Sequence, residues 1–330
     1  MSTIEQVALL AKVSVATVSR VVNNSAKVSE NTRNRVLDAI EKLNYQPNAF
    51  GTYLRKINSN MVLILLHSVD NPFFALTVQG IEKVAHEHDY NVLIGNTYGD
   101  LDREQRYIKM LKNHLLDGVI LISNTLHKDD LNRLFENYPI VQVIEYIPEA
   151  KATFFTIDFY DASCKVMETM ISKGHKNIAF VHTGSSSIIS AREKYRAYVD
   201  VLNKHNLPII TQEIDDYLFG YSSSRTLTKK ILNNTPQVTA FFTTSDLIAI
   251  GVIDEIKQQK GRLPNDIYVS GFDNTIFSTF SNPSLTTVDL DSFKLGMKAM
   301  ENLLDQIQAA KDIKKEAIAS FQKYSIIENQ

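Results

Sequence analysis

Residues 1–24 read MSTIEQVALLAKVSVATVSRVVNN, and their spacing decides what kind of unit opens the chain. Thr3 stands where a helix cap belongs, with Gln6 three residues on in the reciprocal capping position. Ile4, Val7, Ala8 and Ala11 then share one face of a short helix. Lys12-Val13-Ser14 predicts a tight turn. Ser14 caps a second helix over 15–23, with Val18, Val21 and Val22 inward and Val15, Ala16, Thr17, Ser19 and Arg20 mostly outward. Ser29 opens a third helix over 29–43, whose Val36, Ile40 and Leu43 close a small core. Two short helices joined by a three- or four-residue turn, the second with a polar, small-residue outer face, form the helix-turn-helix arrangement. Periodicity alone fits any three-helix bundle equally well.

The charge distribution separates this head from the rest of the chain. The whole chain carries a formal net charge of −2, but residues 1–60 hold eight Lys and Arg against four Asp and Glu. A basic head on an acidic body fits a small module for a polyanion joined to something else. At 330 residues and 44% hydrophobic content, two or three domains are expected. The single cysteine, Cys164, excludes a disulfide framework and a multi-thiolate metal site, and its apolar neighbours suit a small buried hydrophobe. No apolar run reaches the roughly 20 residues a bilayer demands, and the start lacks a signal-peptide pattern, so a cytoplasmic protein with no membrane partner is expected.

The residues themselves go further than the pattern. TIEQVALLAKVSVATVSRVVNN followed by VSENTRNRVLDAIEKLNYQPNAFGTYL resembles the N-terminal headpiece of the lactose-repressor (LacI/GalR) family, through TVSRV, VS..TR..V and LNY.PN, across about sixty consecutive residues. The resemblance implies that the second helix enters the DNA major groove, with Val15, Ala16 and Arg20 choosing the operator half-site. The chemistry agrees: Arg20 can donate a bidentate pair to guanine, while Val15 and Ala16 offer apolar contact to thymine methyls. Thr3, Ser14, Thr17, Ser19, Asn23, Tyr45 and Asn48 are short or neutral donors suited to phosphate oxygens, which fix register; capping or simple solvation would explain any one of them as well.

PNAFGTYLRK matches the family's hinge segment, which implies a short helix formed on DNA with Leu54 wedged into the minor groove and Arg55 and Lys56 beside the phosphates. Phe50 and Gly51 depart from that segment's usual residues, and the glycine costs on the order of 1 kcal/mol of helix propensity. Leu54 would otherwise be an ordinary linker residue.

After residue 60 the rhythm changes. MVLILL, NVLIG, GVILI, PIVQVI and FFTI are buried-strand runs separated by helical stretches, and NIAFVHTG, TAFFTTS, DIYVSGFD and LTTVDL form a second set. Two such sets predict two doubly wound α/β lobes, with ligands outside the carboxyl ends of the strands. DNPFF, SD.IAIG, SGFDN and PSLTTV extend the resemblance to the periplasmic-binding-protein-like core of the same family. The expected organisation is therefore an all-α headpiece over 1–47, a hinge over 48–59 and a core over 60–330. By the resemblance, one lobe spans 60–158 and 291–319, the other 159–290 and 320–330, and the core dimerises.

Carried over by position, the resemblance places Asn71, Phe73, Ser123, Glu145, Ser245, Asp246 and Asp273 around an effector. Carboxylates suit that task because each accepts hydrogen bonds from vicinal hydroxyls. Capping would equally explain Asp246, and Phe73 reads as core. Where the family usually has an arginine, SAREKYRAY places Lys194, flanked by Arg192 and Arg196. Such a cation cluster could hold a phosphate, which brings a sugar phosphate into view beside a neutral sugar. A solvated helix face would also account for two of the three. Tyr217 and Phe219 offer an aromatic platform.

No phosphate loop, nucleophile elbow or metal-ligand spacing occurs, so neither catalytic residues nor a cofactor or metal is expected. The sequence thus reads as a dimeric repressor of carbohydrate genes that binds operator DNA under a small sugar or sugar-phosphate effector. A solute-binding receptor and a sugar-processing enzyme are the alternatives. A docking site for a protein co-effector on the body is left open.

Overall fold

The computed structural model describes residues 2–22, 28–45, 59–183, 188–214, 220–259, 267–282, 285–309 and 316–328. The chain divides into two compact units, Met1–Ser59 and Asn60–Gln330. The expected hinge over 48–59 lies, except for its last residue, outside the described residues.

The first unit contains α1 (Ile4–Ala11), α2 (Val15–Val22) and α3 (Glu30–Lys42). Thr3 and Gln6 form the reciprocal cap at the start of α1, each side chain bonded to the other's backbone N–H. Lys12 then turns the chain with a left-handed φ of 50°, and its N–H returns to the end of α1. Ser14 caps α2 by accepting Thr17 N–H at 3.2 Å, and Ser29 caps α3 by accepting Thr32 N–H at 3.4 Å. Val7, Ala8, Ala11, Val18, Val21, Val36 and Ala39 make the buried core. Ile4, Val15, Val22, Ile40, Leu43 and Tyr45 close over it.

The second unit is built on two six-stranded sheets. The first comprises β1 (Met61–Leu66), β2 (Asn91–Asn96), β3 (Gly118–Leu121), β4 (Ile140–Val143), β5 (Phe154–Ile157) and β11 (Ala319–Gln322), in the order β11-β5-β4-β3-β1-β2, all parallel. The second comprises β6 (Ile178–Thr183), β7 (Ile210–Ile214), β8 (Ala240–Thr243), β9 (Tyr268–Ser270), β10 (Thr286–Asp289) and β12 (Ser325–Glu328), in the order β12-β10-β9-β8-β6-β7. Only β12 runs antiparallel to its neighbour there. The central strands are buried on both faces, as parallel sheets covered by helices require.

Nine further helices are described: α4 (Pro72–Glu87), α5 (Leu101–Lys112), α6 (Lys128–Asn137), α7 (Phe159–Ser172), α8 (Ile189–Lys204), α9 (Tyr221–Asn234), α10 (Asp246–Gln258), α11 (Ile276–Phe280) and α12 (Ser292–Gln308). The late α12 returns to pack along α4, and two glycines permit the approach. A Cβ on Gly80 would lie 2.0 Å from the Phe293 carbonyl oxygen, and one on Gly296 would lie 2.1 Å from that of Thr77. Among the described residues no helix is long and apolar enough to cross a membrane.

Membership of the sheets shows where the chain changes lobes. It leaves the first sheet after Ile157, returns after Asp289 with α12, and crosses finally between Gln322 and Ser325. The last crossing falls slightly later than the boundary at 320 expected from sequence, because β11 completes the first sheet before β12 joins the second.

Candidate functional site: a recognition helix and an interlobe cleft

In the head, burying Val18 and Val21 fixes the rotation of α2 and turns its other side to solvent. Ala16 and Arg20 are exposed, with Ser14 at the entry to the helix, and Thr17 and Ser19 are half-buried. Val15 packs partly against the head core instead of standing free on the outer face. Tyr45 does the same from the end of α3. Thr3 and Ser14 are exposed, and both side chains also serve as caps. Asn23, Asn48, Leu54 and Arg55 lie outside the described residues.

The second site is assembled from the carboxyl ends of strands in both sheets. Glu145 follows β4 in the first lobe, Asp246 follows β8 in the second, and Asp273 follows β9. Lys194 reaches them from α8. All four side chains interact electrostatically, and burial dominates each. Desolvation raises the carboxyl pKa values, pushing Asp273 up to about 8 and Asp246 to about 6, and it lowers Lys194.

These groups divide by their partners. Asp246 Oδ2 accepts the Thr275 N–H at 2.7 Å and its hydroxyl at 3.0 Å, while Oδ1 accepts the Thr287 hydroxyl at 2.6 Å. Its carboxylate therefore braces the segments around β9 and β10, and Ser245, not Asp246, caps α10. Gly271 makes room for it, since a Cβ there would sit 2.4 Å from Asp246 Oδ1. Glu145 is also occupied: it accepts the N–H and hydroxyl of Ser190 at the start of α8. Two of the three carboxylates expected to face an effector are thus held by the protein's own donors.

Asp273 differs. It is 7% exposed, its backbone N–H bonds the Val288 carbonyl, and among the described residues nothing donates to its carboxylate or forms an ion pair with it. It sits at φ 101°, a conformation that disfavours any side chain, and such strain gathers where geometry serves a site. A comparable feature precedes Glu145. Ile144 has φ 71° in a three-residue turn closed by the Glu145 N–H on the Val143 carbonyl, a rare position for a β-branched residue.

Lys194 is 4% exposed. Its Nζ donates to the Thr244 carbonyl at 2.9 Å and lies 3.9 Å from the Phe272 ring centroid and 5.1 Å from that of Phe159. The flanking arginines do not join it in a phosphate-binding cluster. Arg192 and Arg196 both pair with Glu193, and Arg196 covers the Tyr160 ring. Of the remaining expected residues, Asn71 caps α4 by accepting the Phe73 N–H, Phe73 is in the core, Ser123 is half-buried after β3, and Ser245 accepts the Ile248 N–H. Tyr217 and Phe219 lie outside the described residues. Ser190, Thr244, Phe272, Thr275 and Thr287 do not stand out in the sequence as site residues; only the closure of the two sheets brings them to the carboxylates.

Comparison with known proteins agrees with both halves. Residues 3–48 match the model of bacterial regulatory proteins of the lacI family, and residues 59–325 match that of periplasmic binding proteins and the sugar-binding domain of the LacI family. Catabolite control protein A of Priestia megaterium is 32% identical over 302 residues, covering 91% of each chain. The repressor CytR of Escherichia coli strain K12 is 32% identical over 308 residues, covering 93% of this chain and 90% of its own. The solved lac repressor dimer, bound to operator and the anti-inducer ONPF, superposes with a TM-score of 0.82 at 25% identity, covering 99% of this chain and 98% of that one. The chain belongs to the LacI family of transcriptional regulators, with a DNA-binding head and an effector-binding α/β core.

Proposed function

We propose that this regulator is a dimeric repressor that binds a two-fold operator through α2 and releases or gains that grip when a small metabolite enters the interlobe cleft. The observation that supports it most is the exposure of Ala16 and Arg20 on α2, opposite Val18 and Val21, in a head that matches the bacterial regulatory proteins of the lacI family. Arg20 supplies the bidentate contact to guanine, Ala16 and Val15 the apolar contacts, and Ser14, Thr17 and Ser19 the phosphate contacts. Asn23, Asn48, Leu54 and Arg55 extend that interface in the same reading. A cytoplasmic location follows from the DNA partner, and the relatives' role as regulators supports binding without turnover.

In the cleft, Asp273 and Lys194 form the ligand-facing pair, and Glu145, Asp246 and Ser245 shape the walls around them. A ligand acts on the DNA-binding state only through its different affinities for two arrangements of the lobes. Operator selection from a random duplex pool, followed by footprinting with and without a hexose library, tests the proposal. A protected pseudo-palindrome whose occupancy changes with one compound supports it; uniform, sequence-blind binding refutes it.

A further inference from the structure

The cleft's charges do not balance. Among the described residues, three carboxylates, Glu145, Asp246 and Asp273, interact with the one ammonium of Lys194. Two of them are satisfied by neutral donors, from Ser190, Thr275 and Thr287. Lys194 spends one N–H on the Thr244 carbonyl and is steadied by two aromatic faces. Asp273 is 7% exposed, and among the described residues no group donates to its carboxylate. Desolvation pushes its carboxyl up to about 8, so a cation that reaches it competes there with a proton.

At the edge of the site, Tyr146 senses Glu193 and Asp158 as well as Arg192, so acidic groups outnumber basic ones there too. A phosphate ester would bring its negative charges against this set, with Arg192 and Arg196 already tied to Glu193. An ammonium would take the place of the proton on Asp273.

We propose that the cleft takes a hydroxylated amine, positively charged at neutral pH, in preference to the parent sugar and to its phosphate ester, with Asp273 receiving the ammonium and Lys194 donating to a ligand hydroxyl. This rests on the reading of the cleft as the effector site. It makes Asp273 the residue that sets the charge class and Lys194 a fixed donor held by Thr244 and Phe272. The sugar phosphate admitted on sequence grounds is excluded by it.

Matched probes test it on the full chain by calorimetry and thermal shift at pH 7: glucose, glucosamine and glucose 6-phosphate, with the corresponding galactose and mannose sets. The expected result is at least one set in which the amine binds tenfold or more tightly than the neutral parent while the ester gives no shift. In Asp273→Asn, which removes the charge and keeps the shape, that preference should fall to within about twofold. A preference unchanged in Asp273→Asn would overturn the assignment. So would equal binding of amine and parent, or an ester that binds as well as either. Those outcomes leave the effector reading standing, because a ligand still binds. Silence from all nine compounds in a folded protein would remove the effector reading for hexoses, and this inference with it.

Discussion

The Glu145 carboxylate accepts the Ser190 backbone N–H at 3.2 Å and the Ser190 hydroxyl at 2.5 Å, so a residue at the end of a first-lobe strand caps a second-lobe helix. Negative charge at a helix N-terminus is favourable, and this contact ties the lobes together beside the cleft. Glu145→Ala should lose it, at roughly 1.5–3 kcal/mol for a charge-assisted hydrogen bond. Small-angle scattering of the ligand-free variant should show a larger radius of gyration, with Glu145→Gln intermediate. Identical scattering curves would show that the contact does not hold the lobes.

Asp246 braces the second lobe, its carboxylate accepting three hydrogen bonds from Thr275 and Thr287. Asp246→Ala would leave the Thr275 N–H, its hydroxyl and the Thr287 hydroxyl without their acceptor inside the protein. Each orphaned buried donor costs about 1–3 kcal/mol, so the variant should melt many degrees lower. Asp246→Asn, which keeps one acceptor oxygen, should recover part of the loss. If Asp246→Ala melts like wild type while losing effector affinity, the side chain faces the ligand after all.

The α4–α12 contact depends on two missing side chains. At Gly80 and Gly296 a methyl group would meet carbonyl oxygen at about 2 Å, and backbone cannot swing aside as a long side chain can. Gly296→Ala should force the helices apart and cost upward of roughly 2 kcal/mol, within the range of overpacking at well-filled sites. Urea denaturation measures this directly. A midpoint within error of wild type would mean that the helices separate freely.

Burial raises Asp273 to about 8 in the folded chain, against about 3.9 for an unperturbed aspartate. Between those values the folded state keeps a proton the unfolded chain has lost. Stability therefore falls as pH rises through that window, and the penalty is complete above it. Asp246, at about 6, contributes with the same sign over a narrower range. Lys194, lowered by burial, contributes with the opposite sign toward its ordinary range, so the decisive quantity is the difference between wild type and variant. Asp273→Asn should flatten the decline in melting temperature between pH 6 and 8. Parallel profiles would contradict the buried-proton assignment.

Much of this architecture is legible in the sequence, and the illegible part has a physical cause. MVLILL, GVILI, PIVQVI and FFTI are visible because central parallel strands are apolar on both faces. ITQEI, ASFQ and SIIE do not register as strands, and β7, β11 and β12 are all edge strands, half open to solvent and mixed in composition. The head is legible nearly residue by residue, since its caps and core are local. The cleft is not. Asp273, Asp246 and Glu145 can be picked out, but their different roles depend on Ser190, Thr275 and Thr287, which only the assembled sheets bring within hydrogen-bond reach.

The central claim is that α2 reads base pairs and that Arg20 carries most of the discrimination. Competition binding against random duplex at moderate salt, with wild type and Arg20→Ala compared on the same selected operator, tests it most directly. The account predicts that wild type prefers that operator strongly and that the variant loses about 1–3 kcal/mol of preference per half-site while keeping its salt-dependent affinity for DNA in general. An Arg20→Ala protein with undiminished site selectivity would contradict it.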